Sequence, residues 1–583
     1  MWRGPTALAR LATAACAMLV VAGLIIVPPP PPCIRLTVAA SNEKSSLLAI
    51  VADEYETTRP MVDGRCVDVQ VVKKASGEAE EALERGWDER SDGPRPVVWS
   101  PAAKTWVGLL ERNRLIAGRP SIAPLTNPSI VRSPLVIAML EPMARAMGWP
   151  YKEVGLSDVF DLARDTRGWG SLNHPEWRQF KLGKTNPMIS TSGLHALIAT
   201  YYAGKGTGVG LDIPPETITF MRGVESSVVH YGDSVATFLT DLAECDNRRQ
   251  ALQCVSAIAV EEKHVWDYNR GDPTSDAPEN AILRVPFIPL VALHPSGGTL
   301  IADHPYVVLN VAWVDDTKRR AASDFLEYLQ SSETQLRFKR AGFRGYDGDP
   351  GPELTKSVYF DPTQPRELAV PVPPVVSAIQ ALWKEIRKRA RVLLVMDVAG
   401  SMKDVVPGTN RSKLDFAKEA ASSALEDFAA DDEVGLWSFS SASGDDKPYR
   451  ELVSPGPISQ LKPLLRHEIE NLEPRGTGKA LYTTVDAAVT EMGKRFNSAR
   501  INAVVLLTDG GNDDPTNTSL NSLERSLRGQ PEEAFVRVFT VAFGKQADLK
   551  TLAAIAIETR AEVYSSEDPR AIQKILLRVM SNF

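Results

Sequence analysis

The stretch Arg391-Val-Leu-Leu-Val-Met-Asp-Val-Ala-Gly-Ser-Met402 decides the fold of the last third of the chain. An apolar run leads without a break into Asp397, and a small-residue turn that carries Ser401 follows. A run of this length predicts a strand that is buried on both faces of a parallel sheet. Such sheets bind their ligands at the carboxyl ends of the strands. Because hard divalent cations prefer carboxylate and hydroxyl oxygens, Asp397 and Ser401 are candidate cation ligands.

Two later stretches complete this pattern. The loop Gly476-Thr477-Gly478 precedes a helical pattern, and a second apolar run ends at Asp509. In this order the three stretches resemble the von Willebrand factor A domain, over about residues 390–583. The resemblance implies an α/β domain with a doubly wound, Rossmann-like parallel sheet. Its strands are expected at 391–397, 433–440, 502–508, 536–542 and 561–564, and its helices at 412–428, 458–472, 479–496, 549–559 and 569–580.

The same resemblance implies a metal-ion-dependent adhesion site that contacts another protein. The metal would be Mg²⁺, or Mn²⁺ or Ca²⁺, and its ligands would be Asp397, Ser401, Thr477 and Asp509. The first serine of the family motif is replaced here by Ala399, so one ligand is missing. Water or a neighbouring carboxylate, such as Asp513 or Asp514, would have to take its place. The alternative is a domain that keeps its fold and has lost tight metal binding.

The N-terminus predicts a membrane anchor. Arg3 and Arg10 precede an uncharged, mostly apolar segment, residues 11–27, which is at the short end for a membrane-spanning helix. The positive-inside rule places residues 1–10 in the cytoplasm and the rest of the chain outside the cell membrane. Residues 28–33 form a proline-rich spacer without a good cleavage site. A retained single-pass signal anchor is therefore expected, with a cleaved signal peptide as the alternative.

Four cysteines follow the apolar segment and fit an oxidising compartment. Cys33 and Cys66 each open a predicted strand, and a disulfide is within reach if those strands are parallel neighbours. Cys245 and Cys254 enclose a short segment and would close a loop. The alternative is four buried free thiols.

Residues 34–345 alternate between strand and helix patterns, which predicts a parallel α/β sheet. Several stretches resemble the bacterial extracellular solute-binding proteins of the two-lobed type (type II periplasmic-binding-protein-like). They are Ala39-Ala-Ser-Asn-Glu-Lys-Ser45, Val97-Val-Trp-Ser-Pro101, Thr185-Asn-Pro-Met-Ile-Ser-Thr-Ser-Gly193, His294-Pro-Ser-Gly-Gly-Thr299 and Ala321-Ala-Ser-Asp-Phe-Leu-Glu-Tyr-Leu329. The resemblance implies lobe one, residues 34–131 and 295–345, and lobe two, residues 133–290, with a ligand cleft between them.

Carried onto this chain, the resemblance assigns a set of polar and aromatic residues to the cleft. Their hydroxyl and backbone N–H groups suit a neutral or anionic small solute. The set is Ser41, Asn42, Ser45, Trp99, Ser100, Ser190, Thr191 and Ser192, with Tyr268 as a further candidate. Residues 346–389 are expected to be a linker that is rich in Pro, Gly and Asp, followed by a connecting helix at 371–388.

Composition limits the function. Charged residues make up 24% of the chain and the net charge is -7, so nothing favours nucleic acid as a partner. The sequence shows no nucleophile with a paired general base, which argues against an enzyme. We therefore expect a membrane-anchored, outward-facing binding protein with a solute-binding module and a metal-dependent module that contacts another protein. The alternatives are the solute-binding component of an ABC-type transport system, and a surface scaffold with a degenerate metal site and no small ligand.

Overall fold

The computed structural model describes residues 32–205, 210–278, 281–441 and 447–583. The expected anchor at residues 11–27, the segment before it and most of the proline spacer lie outside these ranges. Within the ranges that are described, no helix is both long enough and apolar enough to cross a membrane. The anchor therefore stays a prediction.

The N-terminal domain, residues 34–345, consists of two lobes. Its strands are β1 (Ile34–Ala40), β2 (Met61–Val62), β3 (Arg65–Lys73), β4 (Val98–Ser100), β5 (Val131–Leu140), β6 (Leu182–Thr185), β7 (Val228–Gly232), β8 (Ala257–Glu261), β9 (Leu290–Leu293), β10 (Ile301–Ala302), β11 (Val307–Val308) and β12 (Arg344–Gly345). Its helices are α1 (Asn42–Thr57), α2 (Ser76–Arg85), α3 (Glu89–Asp92), α4 (Lys104–Ile116), α5 (Glu141–Ala146), α6 (Leu156–Arg164), α7 (Thr191–Lys205), α8 (Pro215–Ser226), α9 (Val235–Asn247), α10 (Ala251–Cys254), α11 (Glu262–Arg270), α12 (Asp316–Leu329) and α13 (Ser332–Arg340).

The sheet of lobe one has the order β11-β4-β1-β3-β2. Strand β1 is central and parallel to both β3 and β4, as the alternating pattern predicted. It is buried at every position except one, because helices cover both faces of the sheet. Its carboxyl end points at residues 41–45, which begin α1. The order of elements in lobe one therefore places Ser41 and Asn42 at the ligand-binding edge of the sheet.

The sheet of lobe two has the order β10-β5-β8-β6-β7, with β9 and β12 also paired to β5. Strands β6, β7 and β8 are parallel, but β5 runs antiparallel to β8, β9, β10 and β12. The prediction of a parallel sheet is wrong here, and also at the two edges of lobe one, where β2 and β11 are antiparallel to β3 and β4. The chain passes into lobe two along β5 and turns back along strands that pair with β5. The paired strands therefore run in opposite directions.

The segment between the domains is packed onto the N-terminal domain. It holds α14 (Pro352–Lys356) and α15 (Pro373–Ile386). The buried guanidinium of Arg344 donates to the carbonyls of Asp361 and Thr363, which ties the expected linker to lobe two. Helix α15 packs on α4 of lobe one and on α7 and α8 of lobe two. The connecting helix thus joins both lobes along one side.

The C-terminal domain, residues 390–583, follows directly. Its strands are β13 (Arg389–Asp397), β14 (Glu433–Phe439), β15 (Tyr449–Pro457), β16 (Arg500–Thr508), β17 (Arg537–Phe543) and β18 (Val563–Ser566). Its helices are α16 (Lys413–Ala424), α17 (Ile458–Glu470), α18 (Leu481–Lys494), α19 (Leu520–Arg528), α20 (Leu549–Glu558) and α21 (Ile572–Met580). The sheet order is β15-β14-β13-β16-β17-β18, with β13 and β16 adjacent at its centre.

One feature of this sheet departs from the prediction of a parallel, doubly wound fold. Edge strand β15 is antiparallel to β14, and the register shifts twice along the pair. The strand carries proline and glycine near its end, which are tolerated at a sheet edge or a bulge. The remaining pairs are parallel. Asp397 and the residue after β16, Asp509, therefore lie side by side at the carboxyl edge.

Both expected disulfides are present. Cys33 and Cys66 are bonded across the parallel pair β1 and β3, with a Cα separation of 4.5 Å. Cys245 and Cys254 are bonded with a Cα separation of 6.5 Å and close the loop between α9 and α10. The prediction of paired thiols is confirmed.

Candidate functional site

The carboxyl edge of the C-terminal sheet brings three of the expected metal ligands together. The hydroxyl of Ser401 donates to Oδ1 of Asp509 over 2.8 Å. Asp397 is fully buried and accepts hydrogen bonds from the Thr508 hydroxyl at 2.7 Å and from the Ala399 N–H at 2.8 Å. The loop that carries the exposed Thr477 lies against the Gly400 turn.

Two lysines that the motif does not include point into the same site. Nζ of Lys413 lies 2.7 Å from Oδ2 of Asp509, and Nζ of Lys479 lies 3.3 Å from Oδ1. Lys413 is the first residue of α16, whose N-terminus is capped by the Ser412 hydroxyl. Lys479 directly follows the Gly-Thr-Gly loop. Sequence reasoning missed both, although their positions beside the motif elements were a visible signal.

The lysines set the charge of the site. Burial raises the pKa of Asp397 to about 6, against hydrogen bonds from Thr508 and the Ala399 N–H. Burial would also raise the pKa of Asp509, but the Lys413 hydrogen bond and the charge of Lys479 outweigh it and lower that pKa. The site at neutral pH therefore holds two carboxylates that are already balanced by two ammonium groups.

This arrangement does not fit a bound divalent cation. Ala399 supplies no oxygen from its side chain, and each carboxylate oxygen of Asp509 already faces an ammonium group. The carboxylate of Asp514, which was expected to help, instead accepts hydrogen bonds from the backbone and hydroxyl of Thr516. The donor set that the family motif supplies to a metal is thus committed to lysines within the chain.

The second candidate site is a cavity of about 380 Å³ between the two lobes, a size typical of small-molecule sites. A narrow inner extension reaches the N-terminus of α7. Lobe one contributes residues at the starts of α1 and α2, and lobe two contributes residues at the starts of α7 and α9 together with His264.

The structure divides the residues that were expected in the cleft into two groups. Those that line the cavity or its extension are Ser41, Asn42, Ser190, Thr191 and Ser192. The others, Ser45, Trp99, Ser100 and Tyr268, are packed in the interior with at most 3% of their surface exposed. Their expected place in the cleft is wrong, because the side chains of Ser45 on α1, Trp99 and Ser100 on β4 and Tyr268 on α11 are buried in the interior.

Helix N-termini converge on the cavity. Ser41, Ala75 and Ser234 are the N-cap residues of α1, α2 and α9, and all three line the cavity or its extension. Within the described chain, none of these three N-cap side chains makes the usual capping hydrogen bond. First-turn N–H groups at these helix starts, other than the Gly77 N–H that donates to the Ile189 carbonyl, can therefore bind an anion at this point.

Buried ionisable groups from both lobes form the floor of the cleft. Nζ of Lys44 lies 3.6 Å from Glu43 and 3.2 Å from Nδ1 of His304, whose Nε2 lies 3.2 Å from Glu261. Burial would raise the pKa of Glu43, but Lys44 and His304 lower it to about 2. Burial raises the pKa of Glu261 well above its ordinary value and lowers that of His264 to about 4. Burial also lowers the pKa of Lys44, against the charge of Glu43 beside it.

Direct bonds hold the lobes together around the cavity. The N–H of Gly77 in α2 donates to the carbonyl of Ile189 in lobe two over 2.9 Å. The indole N–H of Trp106 donates to Thr191 over 2.8 Å. A Cβ at Gly77 would lie 2.2 Å from the carbonyl oxygen of Met188, so only glycine permits this approach. The cleft is in a closed state.

Comparison with protein families identifies the two domains. Residues 36–344, more than half of the chain, match the model of bacterial extracellular solute-binding proteins. The chain belongs to this family. Residues 392–512 match the von Willebrand factor type A domain. We therefore call the two parts the solute-binding domain and the A domain.

The chain is also similar to a relative from another organism and to several solved structures. An uncharacterized protein of Mycobacterium tuberculosis, found in two strains, is 23% identical over 512 residues, which cover 87% of this chain and 70% of the relative. A periplasmic thiamin-binding protein is 12% identical with a TM-score of 0.41, over 62% of this chain and 100% of that protein. A von Willebrand factor type A protein from Catenulispora acidiphila is 20% identical with a TM-score of 0.27, over 34% of this chain and 42% of that protein.

Proposed function

We propose that the protein captures a small solute in the cleft of its solute-binding domain and uses its A domain to contact another protein. The observation that carries the proposal is the cavity of about 380 Å³, which is lined by polar groups from both lobes. A ligand there would touch both lobes at once, so its binding free energy would favour the closed state.

The helix N-termini and hydroxyls of the lining suit an anionic group of the solute, and the carboxyl groups of Glu43, Glu78, Asp233 and Glu562 in the same lining suit a hydrogen-bond donor beside it. The uncapped N-termini of α1, α2 and α9 present N–H groups, and Ser190 and Thr191 add hydroxyls. The lysines at the cavity are already paired, since Lys73 lies 2.6 Å from Asp276 and Lys74 lies 3.3 Å from Asp92. Hydrogen bonds, rather than free positive side chains of the lobes, would therefore recognise the solute.

We propose that the A domain contacts its partner without a tightly bound metal. Lys413 and Lys479 lie where the family would place a cation, so a carboxylate of the partner would meet an ammonium group instead of Mg²⁺. A site without a tightly bound metal corresponds to the alternative stated above, an A domain that keeps its fold and has a degenerate metal site. A Mg²⁺-dependent contact is the competing proposal, and binding of a partner in the presence and absence of a chelator separates the two.

Attachment to the cell membrane, with the bulk of the chain outside, is part of the proposal. It is supported by the apolar segment at residues 11–27 and by the two disulfides, which suit an oxidising compartment. Proteolysis of intact cells tests the orientation: external protease should remove the folded domains, and protection of those domains would contradict it. Delivery of solute to a permease is the alternative role, and solute uptake by cells that lack the protein tests it.

Thermal unfolding of the whole chain tests capture of a solute. Inorganic phosphate, sulfate and small carboxylates would each be added at increasing concentration, since a ligand of the native state raises the melting temperature. We expect Ser192→Ala, in the inner extension, to weaken the effect about tenfold, which is the loss of one hydrogen bond to a charged group. Ser226→Ala, on α8 and bonded to its own helix, is the matched control. Equal stabilisation of all three proteins would contradict the proposed site.

A further inference from the structure

The A domain itself forms part of the wall of the solute cleft. Glu562, directly before β18, and Arg578, on the last helix α21, line the same cavity as Asn42 of lobe one and Asp233 of lobe two. The cavity is therefore bounded by three parts of the chain and not by the two lobes alone.

The guanidinium of Arg578 connects these three parts. Its Nη2 donates to Oδ2 of Asp233 in lobe two over 2.6 Å, and its Nε lies 3.7 Å from Glu78 in lobe one. A guanidinium has five N–H donors, so further donors remain for a ligand. Asp233 is 5% exposed, and its second oxygen, Oδ1, has no hydrogen-bond partner among the described residues. Nδ1 of the buried His264, also at the cavity, is likewise without a partner within the described ranges.

Helix α21 is attached firmly to lobe two and lightly to lobe one. On the side of lobe two, the Tyr231 N–H donates to the Asn582 carbonyl and the Asn186 side chain donates to the Ser581 carbonyl, both over 2.9 Å. On the side of lobe one, Nζ of Lys574 donates to the Ser91 carbonyl over 2.7 Å, and the Lys574 side chain is half exposed. The weaker contact is the one that would break when the lobes separate.

We propose that the solute site is a composite of both domains, in which Arg578 of the A domain binds the anionic group of the solute and α21 latches lobe one to lobe two across the cavity. The assignment of an anionic solute rests on the proposed function, whereas the latch does not. A solute in this cavity touches both lobes as well as Arg578, so its binding would favour the closed cleft in which the latch forms. Occupancy of the cleft is thereby linked to the position of the A domain.

Hydrogen exchange of the full-length protein without solute tests the latch. The Gly77 amide reports directly on closure, since it is bonded to lobe two across the cleft. We expect Lys574→Gln, and more strongly Lys574→Gln combined with Arg578→Gln, to speed its exchange at least tenfold while the amides of β16 in the core of the A domain stay protected. Arg570→Gln, an exposed residue that pairs with Asp568 in its own domain, is the control. Unchanged exchange at Gly77 in the single and double variants would overturn the latch.

Binding of inorganic phosphate by calorimetry tests the composite wall. We expect Arg578→Gln to lose at least tenfold in affinity, Arg578→Lys to recover part of the loss, and Lys574→Gln to change affinity less. Equal affinity of Arg578→Gln and the unaltered protein would overturn the role of Arg578, even if the latch were supported by exchange. A protein that binds none of phosphate, sulfate or small carboxylates would overturn the anionic solute, and with it the proposed function, while the exchange result would still decide the latch.

Discussion

Replacement of Lys413 by methionine should convert the A domain from a lysine-filled site to a metal-responsive one. Methionine keeps most of the aliphatic volume of the side chain and removes the ammonium group that lies 2.7 Å from Asp509. Lys479, at 3.3 Å from the same carboxylate, remains as a weaker counter-charge. The variant therefore leaves a buried carboxylate with room for another cation beside it.

The expected magnitudes follow from burial and charge. The side chain of Asp509 is 1% exposed and that of Lys413 is 14% exposed. Removing one partner of a buried pair costs about 3 to 5 kcal/mol, and the remaining lysine reduces this to about 2 to 3 kcal/mol. In the unaltered protein, a doubly charged ion about 4 Å from one ammonium group meets a repulsion of about 8 kcal/mol at an effective dielectric constant of about 20. That repulsion is why Mg²⁺ should have little effect before the substitution.

Urea unfolding with and without MgCl₂ measures both effects. With a dissociation constant of about 1 mM, about 10 mM Mg²⁺ would restore about 1.4 kcal/mol to Lys413→Met and less than about 0.3 kcal/mol to the unaltered protein. Lys403→Met removes an exposed lysine of the same loop region, which has no carboxylate partner among the described residues, and controls for the loss of charge. Strong stabilisation of the unaltered protein by Mg²⁺ would refute the reasoning, as would a variant that loses stability and gains nothing from the metal.

Three further substitutions test other parts of the structure. Gly77→Ala places a methyl group against the backbone of lobe two, so it should destabilise the protein by about 1 to 3 kcal/mol and increase the radius of gyration in solution scattering. Gly493→Ala is the control and should do neither, because its methyl group would meet nothing within 4 Å. Burial raises the pKa of Glu80 to about 7, so the folded state disfavours ionisation of this carboxyl group. Glu80→Gln should therefore stabilise the protein by about 2 to 3 kcal/mol in urea unfolding above pH 7. A gain in stability that persisted at about pH 4, where Glu80 is protonated, would contradict this explanation. Loss of the Cys33–Cys66 disulfide, which spans a sequence separation of 33, should lower the free energy of unfolding by about 3 to 4 kcal/mol in the Cys33→Ser, Cys66→Ser protein. Reductant should then destabilise this variant less than the unaltered protein in urea unfolding, because only Cys245–Cys254 remains to be reduced, and an equal loss in both would contradict the prediction.

The sequence predicted the elements whose residues are in unbroken apolar runs. Strand β13 and the position of Asp397 followed from such a run, and the Cys33–Cys66 bond followed from two neighbouring strand starts. Edge strand β15 was missed because its residues are mostly polar or bent by proline and glycine. An edge strand needs no buried face on both sides, so it leaves a weak pattern.

The candidate sites were predictable where a family resemblance supplied the residues, as for Ser401 and Asp509, which lie together although they come from separate segments. Ser190 and Thr191, which the resemblance to solute-binding proteins assigned to the cleft, do line its inner extension. Lys413 and Lys479 were missed although they lie beside the motif elements, because the motif does not include them. The place of Arg578 at the cavity was not predicted, because it depends on segments that are far apart in the chain. A family motif names the groups that bind a ligand and gives no information about a neighbouring side chain that takes the ligand's place.

The continuous packing between the two domains has a consequence for how the protein unfolds and how it could have evolved. Tyr231 and Trp383, in ring contact at 5.1 Å, belong to the same hydrophobic cluster as Phe539 and Phe583 of the A domain. A cut at the boundary suggested by the family matches would expose apolar surface on both fragments. Calorimetry should therefore find lobe two and the A domain melting in one cooperative transition. Exchange of either module for a homologue by recombination would succeed only if the residues on both sides of this shared core changed together.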